Sequence, residues 1–128
     1  MTFEKLPNIE IFVFGSNKAG RHGAGSALHA RRHHGAIYGQ GVGLQGESYA
    51  IPTKDENLNV LSIEEIKTYV NDFILFALNH QECKFKIVRI GCGLAGYTNE
   101  QMAPLFKDCS PNCILPKEWI PIIRNENV

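Results

Sequence analysis

The stretch Ile9 to His34, IEIFVFGSNKAGRHGAGSALHARRHH, decides the fold class. Its opening, IEIFVFG, is strongly apolar and β-branched near the middle, which is the composition of a strand covered on both faces. A glycine-rich turn follows, and GSALHARRHH then has the make-up of a helix stopped by Gly35. Strand, loop and helix in that order open an α/β domain.

Onward from Gly35, the segment AIYGQGVGLQG (Ala36 to Gly46) has four glycines and no steady period, and so predicts a long surface loop. SYAIPT (Ser48 to Thr53) reads as a short strand ending at Pro52 or just beyond it. VLSIEEIKTYVNDFILFALNH is the clearest helix. Ser62 and Glu65 have the spacing of a capping box, and Ile63, Ile66, Val70, Phe73 and Ala77 fall near one stripe. KFKIVRI predicts a further interior strand. Thr98 and Gln101 would cap a second helix through Met102, Leu105 and Phe106, shortened or bent by Pro104. The tail ILPKEWIPII, with two prolines, predicts an edge strand or a packed extended arm. No linker and no repeat divides the chain, so one domain over residues 1–128 is expected.

Thirteen basic residues balance thirteen acidic ones, so no field of the whole molecule draws it to nucleic acid or membrane. An RNA-binding reading is weakened by this, though a local phosphate site is not. There is no apolar run near the length of a membrane span and no leader-like start, which points to a cytoplasmic protein with no membrane partner. The cysteines at 83, 92, 109 and 113 have no zinc-site spacing and read as ordinary thiols, with Cys92 a small filler in its turn; no metal and no cofactor is expected. His29 and His33 lie four apart and read as surface or packing residues rather than a metal pair. Arg31 and Arg32 read as a solvated helix face.

All twelve glycines fall in two zones, nine from Gly15 to Gly46 and three from Gly91 to Gly96. Both zones are turns after strands, where α/β folds gather backbone N–H groups around ligands. RIGCGLAG (Arg89 to Gly96) contains a GxGxxG, but so does GVGLQG (Gly41 to Gly46), and the later copy comes too late in the chain for a dinucleotide fingerprint. A different arrangement fits better. Two glycine loops from separate strands would face each other across the pyrophosphate of a nucleotide sugar, with the Asn17 amide on a ribose hydroxyl.

The quoted residues resemble the macrodomains, which bind ADP-ribose on a mixed sheet sandwiched by helices. FVFGSNKAGRHGAGSALHAR is similar to the macrodomain segment in which a strand ends at an asparagine and runs through a glycine-rich loop into a helix, and IVRIGCGLAGY is similar to the later phosphate-binding loop. The match is sharper with the deacylating ADP-ribose glycohydrolase branch, which removes ADP-ribose from acidic side chains and carries RIGCGL and TK motifs, here Arg89 to Leu94 and Thr53-Lys54. The resemblance covers roughly Ile11 to Phe106. It implies a three-layer α/β/α fold with a central mixed sheet and a ligand held by Gly15, Ser16, Asn17, Arg21, Gly23 and Gly25 of the first loop. Gly91, Cys92, Gly93, Leu94 and Gly96 of the second loop would join them, with Thr53 from the strand between; Tyr38, Tyr49 and Tyr97 are candidates for stacking on adenine or bounding the distal ribose.

In the glycohydrolase branch the lysine of TK is the nucleophile, which implies that role for Lys54. The branch's acid follows directly after RIGCGL, where this chain has Ala95; Glu47, Asp55 or Glu100 would have to replace it. A lysine amine can attack the opened aldehyde form of an ADP-ribosyl ester while a nearby acid shuttles protons. His22, flanked by glycine in GRHGAG, is a candidate proton carrier or phosphate contact, and Asp55 stands next to Lys54. The expected partner is ADP-ribose or an ADP-ribosylated macromolecule, with three functional readings open: an ester hydrolase, a non-catalytic binding module, and an RNA-binding protein.

Overall fold

The computed structural model describes residues 9–126. The start of the chain, residues 1–8, on which the leader reading and the first part of the domain reading fall, lies outside them, as do the last two residues.

Alternation along the first strand, β1 (Ile9–Asn17), sets the layers. Ile11 and Val13 enter one apolar cluster, Phe12 and Phe14 the other, because successive strand side chains leave opposite faces. Helix α1 (Gly25–His33) covers the Phe12 and Phe14 face through the small residues Ala27 and Ala30. The opposite face carries the larger core. Tyr49, Ile51, Phe85 and Ile87 from the sheet meet Ile66, Val70, Phe73 and Ala77 of helix α2 (Ile63–Leu78). The result is a mixed sheet between helical layers. Its order is β2-β3-β1-β4-β5, with β2 (Gly43–Gln45), β3 (Ser48–Lys54), β4 (Cys83–Ile87) and β5 (Cys113–Ile114). Among the strands of the described residues, only the β2–β3 pair is antiparallel.

The caps follow the sequence closely. Ser62 Oγ accepts from the Glu65 N–H at 3.2 Å, while its hydroxyl donates to the Glu65 carboxylate at 3.2 Å; an N-cap of this kind contributes about 1 kcal/mol. The full reciprocal box forms at Thr98 and Gln101, at the start of α3 (Asn99–Met102). A 3-10 turn, Ala103–Phe106, takes over where Pro104 prevents an α-helical continuation.

Three expectations need correction. The loop predicted from Ala36 to Gly46 contains the edge strand β2, joined to β3 by a tight turn in which Gly46 has φ +59° and lies against the Gly35 backbone. A primed hairpin turn needs that glycine, and three residues are too few for a period to show. The strand predicted as KFKIVRI starts one residue earlier and ends at Ile87; Ile90 N–H instead turns back to the Val88 carbonyl at 2.7 Å. The tail forms the two-residue edge strand β5 and then a helix, α4 (Ile120–Glu126), rather than an extended arm. Pro121 is the second residue of α4, in the first turn where its missing N–H costs nothing. Trp119, fully buried against Phe106 with ring centroids 5.0 Å apart, fixes the start of that helix on the core.

Candidate functional site

β1 lies between β3 and β4, and all three run parallel, so the loops leaving their C-terminal ends gather at one place. There they enclose a cleft of about 690 Å³. Its walls come from the end of β1 with the start of α1, from Thr53 and Lys54 at the end of β3 with Leu58 beyond it, and from Val88 to Ala95 after β4.

The first wall is held by Asn17. Its Nδ2 donates to the Arg21 carbonyl at 3.1 Å, and its Oδ1 accepts from the Arg21 N–H at 2.9 Å. The sequence suggested this amide for a ribose hydroxyl; its first duty is to close the turn from Lys18 to Arg21. The register between β1 and β3 slips here, Ser16 facing Pro52 and Asn17 facing Lys54. Such an irregularity re-aims side chains, and both Thr53 and Lys54 line the cleft. In the later wall, the Tyr97 N–H donates to the Gly91 carbonyl at 2.9 Å and the Gly96 N–H to the Gly93 carbonyl at 3.0 Å. Cys92 Sγ lies 3.5 Å from Asn99 Oδ1, which also accepts from the Trp119 indole at 3.0 Å. Burial pushes the Cys92 thiol up, away from the thiolate form a nucleophile needs.

Of the residues singled out in the sequence, the cleft brings together Gly15, Ser16, Asn17, Arg21, Gly23, Gly25, Thr53, Lys54, Gly91, Cys92, Gly93 and Leu94. His22, Tyr49, Asp55, Gly96 and Tyr97 are not among its lining residues. His22 is fully buried, edge-on to Phe14 at 5.3 Å. Its Nε2 faces two acceptors, the Gln40 carbonyl at 2.9 Å and Gln45 Oε1 at 3.2 Å, so Nε2 carries the proton. Tyr49 packs in the core between Phe73 and Phe76, its phenol pushed up by burial. Tyr97 donates its hydroxyl to the Leu61 carbonyl.

Asp55 accepts from the Asn57 and Asn59 N–H groups at 2.8 and 2.9 Å, and these bonds, Asn59 foremost, hold its carboxyl below the usual aspartate range. None of the carboxylates weighed as a replacement acid, Glu47, Asp55 or Glu100, lines the cleft. The basic strip of α1 faces solvent, with the Arg31 guanidinium 5.0 Å from the Tyr38 ring. Among the described residues, no three His, Cys, Asp or Glu side chains are grouped to hold a metal.

Sequence reasoning missed several walls of the cleft. Arg89 and Ala95 sat inside or beside a quoted motif without being chosen, and Ala24, Ser26, Ala27, Val88 and Ile90 are small or apolar residues with nothing to mark them. Leu58 gave no signal at all. The lining therefore contains three cationic side chains, Arg21, Lys54 and Arg89, and no carboxylate. Arg89 is half exposed and 3.9 Å from Glu118.

The glycines divide in an informative way. Eight have positive φ, where other residues are strained, and Gly41 lies so close to the Asn17 and Lys18 carbonyls that any side chain would collide. Gly15, Gly23 and Gly93 have neither reason. A methyl group would find only ordinary contacts at Gly15 and open space at the other two. All three line the cleft. Leu58 is the converse case, with φ +65°, the only positive value at a non-glycine position among the described residues; that conformation costs roughly 1–2 kcal/mol. It too lines the cleft.

No family model matches the chain, and no curated protein matches it. The chain is similar to two solved structures from Bacteroides thetaiotaomicron. One is a protein of unknown function, 20% identical, with 79% of this chain and 80% of that chain covered at a TM-score of 0.58. The other is a structural genomics target, also 20% identical, with 79% and 81% covered at a TM-score of 0.53. At that identity the likeness concerns the fold alone.

Proposed function

We propose that the cleft binds ADP-ribose, free or attached to a macromolecule, and that the chain is a macrodomain-like binding module. The observation that carries this reading is the set of three glycines, Gly15, Gly23 and Gly93, that the fold does not require and that all border one cleft. Glycine without an internal reason leaves backbone N–H groups open to close approach, which is how a diphosphate is held without many side chains. Arg21, Lys54 and Arg89, with no carboxylate among the lining residues, make the cleft suited to an anion. Cytoplasmic location belongs to the same reading; among the described residues no helix is long and apolar enough to cross a membrane.

A second reading, hydrolysis of ADP-ribosyl esters, draws on the position of Lys54 in the lining. It lacks a carboxylate at the cleft to move protons, and for that reason binding stands first. An RNA-binding function has less to support it, since the basic strip on α1 is apart from the cleft lining.

Titration calorimetry with ADP-ribose tests the primary reading, using the wild type and Gly93→Val. Micromolar binding by the wild type and its loss in a folded variant would support it. No heat at millimolar ligand would end it. Release of ADP-ribose from a carboxylate ester, compared between wild type and Lys54→Ala, decides the second.

A further inference from the structure

Cys109 and Cys113 flank the turn that leads into β5, and the residues between them, Ser110, Pro111 and Asn112, are tied down at several points. The Cys113 N–H donates to the Ser110 carbonyl at 3.0 Å and closes the turn. The Asn112 amide nitrogen donates into three carbonyls at 2.9 to 3.2 Å, those of Ala77 and His80 at the end of α2 and of Cys83 at the start of β4. The Asn112 carbonyl in turn accepts from the Phe85 N–H at 2.9 Å, and Phe85 faces Cys113 across the β4–β5 pair. The backbone carrying both sulfurs is therefore fixed by α2 and β4 together.

On that frame the two thiols hydrogen-bond to each other. Both are free, half-buried and packed against the larger apolar cluster. A free cysteine ordinarily packs alone, as a small apolar residue. Two in contact across a fixed turn are one side-chain rotation from a sulfur–sulfur bond of about 2.0 Å. The sulfurs are also unlike. Cys113 accepts the Cys109 S–H and faces the Ser110 hydroxyl and N–H, which hold its thiol below the ordinary range against the effect of burial. Cys109, which gives up that hydrogen bond and is buried beside Asp108, is held above it. Burial pushes the Cys83 and Cys92 thiols up as well, so Cys113 is the thiol most ready to ionise, and the thiolate is the attacking form.

We infer that Cys109 and Cys113 are a reversible dithiol–disulfide pair that reacts with small disulfides of the glutathione class, Cys113 attacking and Cys109 resolving. The Cys113 thiolate attacks one sulfur of the external disulfide, forms a mixed disulfide and expels the first thiolate. Cys109, its proton passed to water, then attacks Cys113 Sγ, forms the internal bond and expels the second thiolate. Two protein thiols are oxidised to one disulfide, and the external disulfide is reduced to two thiols. Neither cysteine lines the cleft, so this site is independent of what the cleft binds.

The test incubates the whole protein with oxidised glutathione, quenches with acid and reads intact mass and mapped peptides. The expected product has an internal Cys109–Cys113 bond, undone by excess reduced glutathione, with Cys83 and Cys92 left as thiols. Cys109→Ser should stop at a glutathione adduct on Cys113, while Cys113→Ser should react about tenfold more slowly at Cys109. Since serine at a half-buried site can cost stability, limiting iodoacetamide on the wild type at neutral pH gives a measurement without variants, and Cys113 should be labelled first. Adducts on Cys83 or Cys92 with no internal bond would overturn the inference. So would a Cys109→Ser variant that is folded by circular dichroism yet takes up no glutathione, or wild-type labelling at equal rates on all four cysteines.

Discussion

The Asn17 side chain and the Arg21 backbone bond to each other in both directions, amide to carbonyl at 3.1 Å and N–H to amide oxygen at 2.9 Å. One residue at the end of β1 thereby fixes the turn that opens the first wall of the cleft. Asn17→Ala removes both bonds and should destabilise the fold by about 1–3 kcal/mol, read by urea denaturation. Asn17→Asp keeps the acceptor but loses the donor and places a negative charge on the cleft. It should weaken anion binding more than it weakens the fold, so calorimetry and denaturation must disagree in that variant.

Two glycines two residues apart should respond oppositely. Gly91 has φ +79° and a methyl group there would lie 3.0 Å from the Met102 side chain, whereas Gly93 has open space. Gly91→Ala is expected to cost about 1–3 kcal/mol, and Gly93→Ala to stay within about 0.5 kcal/mol of wild type. Thermal unfolding of the two single variants checks this directly. Equal loss in both would mean that the later wall is crowded throughout.

Asn99 joins the cleft to the core, because its Oδ1 faces both the Trp119 indole and the Cys92 thiol. Asn99→Ala leaves the buried indole N–H without its acceptor, for a loss of about 1–3 kcal/mol. The same variant should label faster at Cys92 with a thiol reagent, since the loop loses one of its ties. Trp119→Ala, which empties a fully buried site, should cost about 3–5 kcal/mol.

The Asp55 turn gives a pH dependence of definite sign. Backbone bonds hold the Asp55 carboxyl below its ordinary value of 3.8, so the support it lends is complete above that value and is lost as pH falls through the lowered one. Amide exchange at Asn57 and Asn59, corrected for intrinsic rates, should quicken below pH 3.8 and stay level above it. In Asp55→Asn, which does not titrate, the step should vanish.

Much of the fold was legible because its signals were local. The strand, glycine turn and helix from Ile9 to His34, the stripe of α2, the N-cap at Ser62 and the box at Thr98 all lie within a few residues of what they determine. β2 was hidden because its pairing partner and turn glycines, not its own three residues, define it. α4 was hidden because prolines in a short apolar run read as extended until the burial of Trp119 is known. In the cleft, glycines were visible as a cluster, but sequence could not separate those demanded by φ or crowding from Gly15, Gly23 and Gly93. His22, a candidate proton carrier or phosphate contact among glycines, is buried outside the cleft lining, since Gln40 and Gln45 return from a distant segment to meet it.

The sheet ends at both sides in very short strands, three residues in β2 and two in β5. An incoming extended segment would find only a few unpaired backbone groups on either flank, too few to add a new strand in register. Such brevity guards a β-rich interior against growth into fibrils. Lengthening either border strand with alternating apolar residues should therefore raise the tendency to aggregate before it changes anything at the cleft.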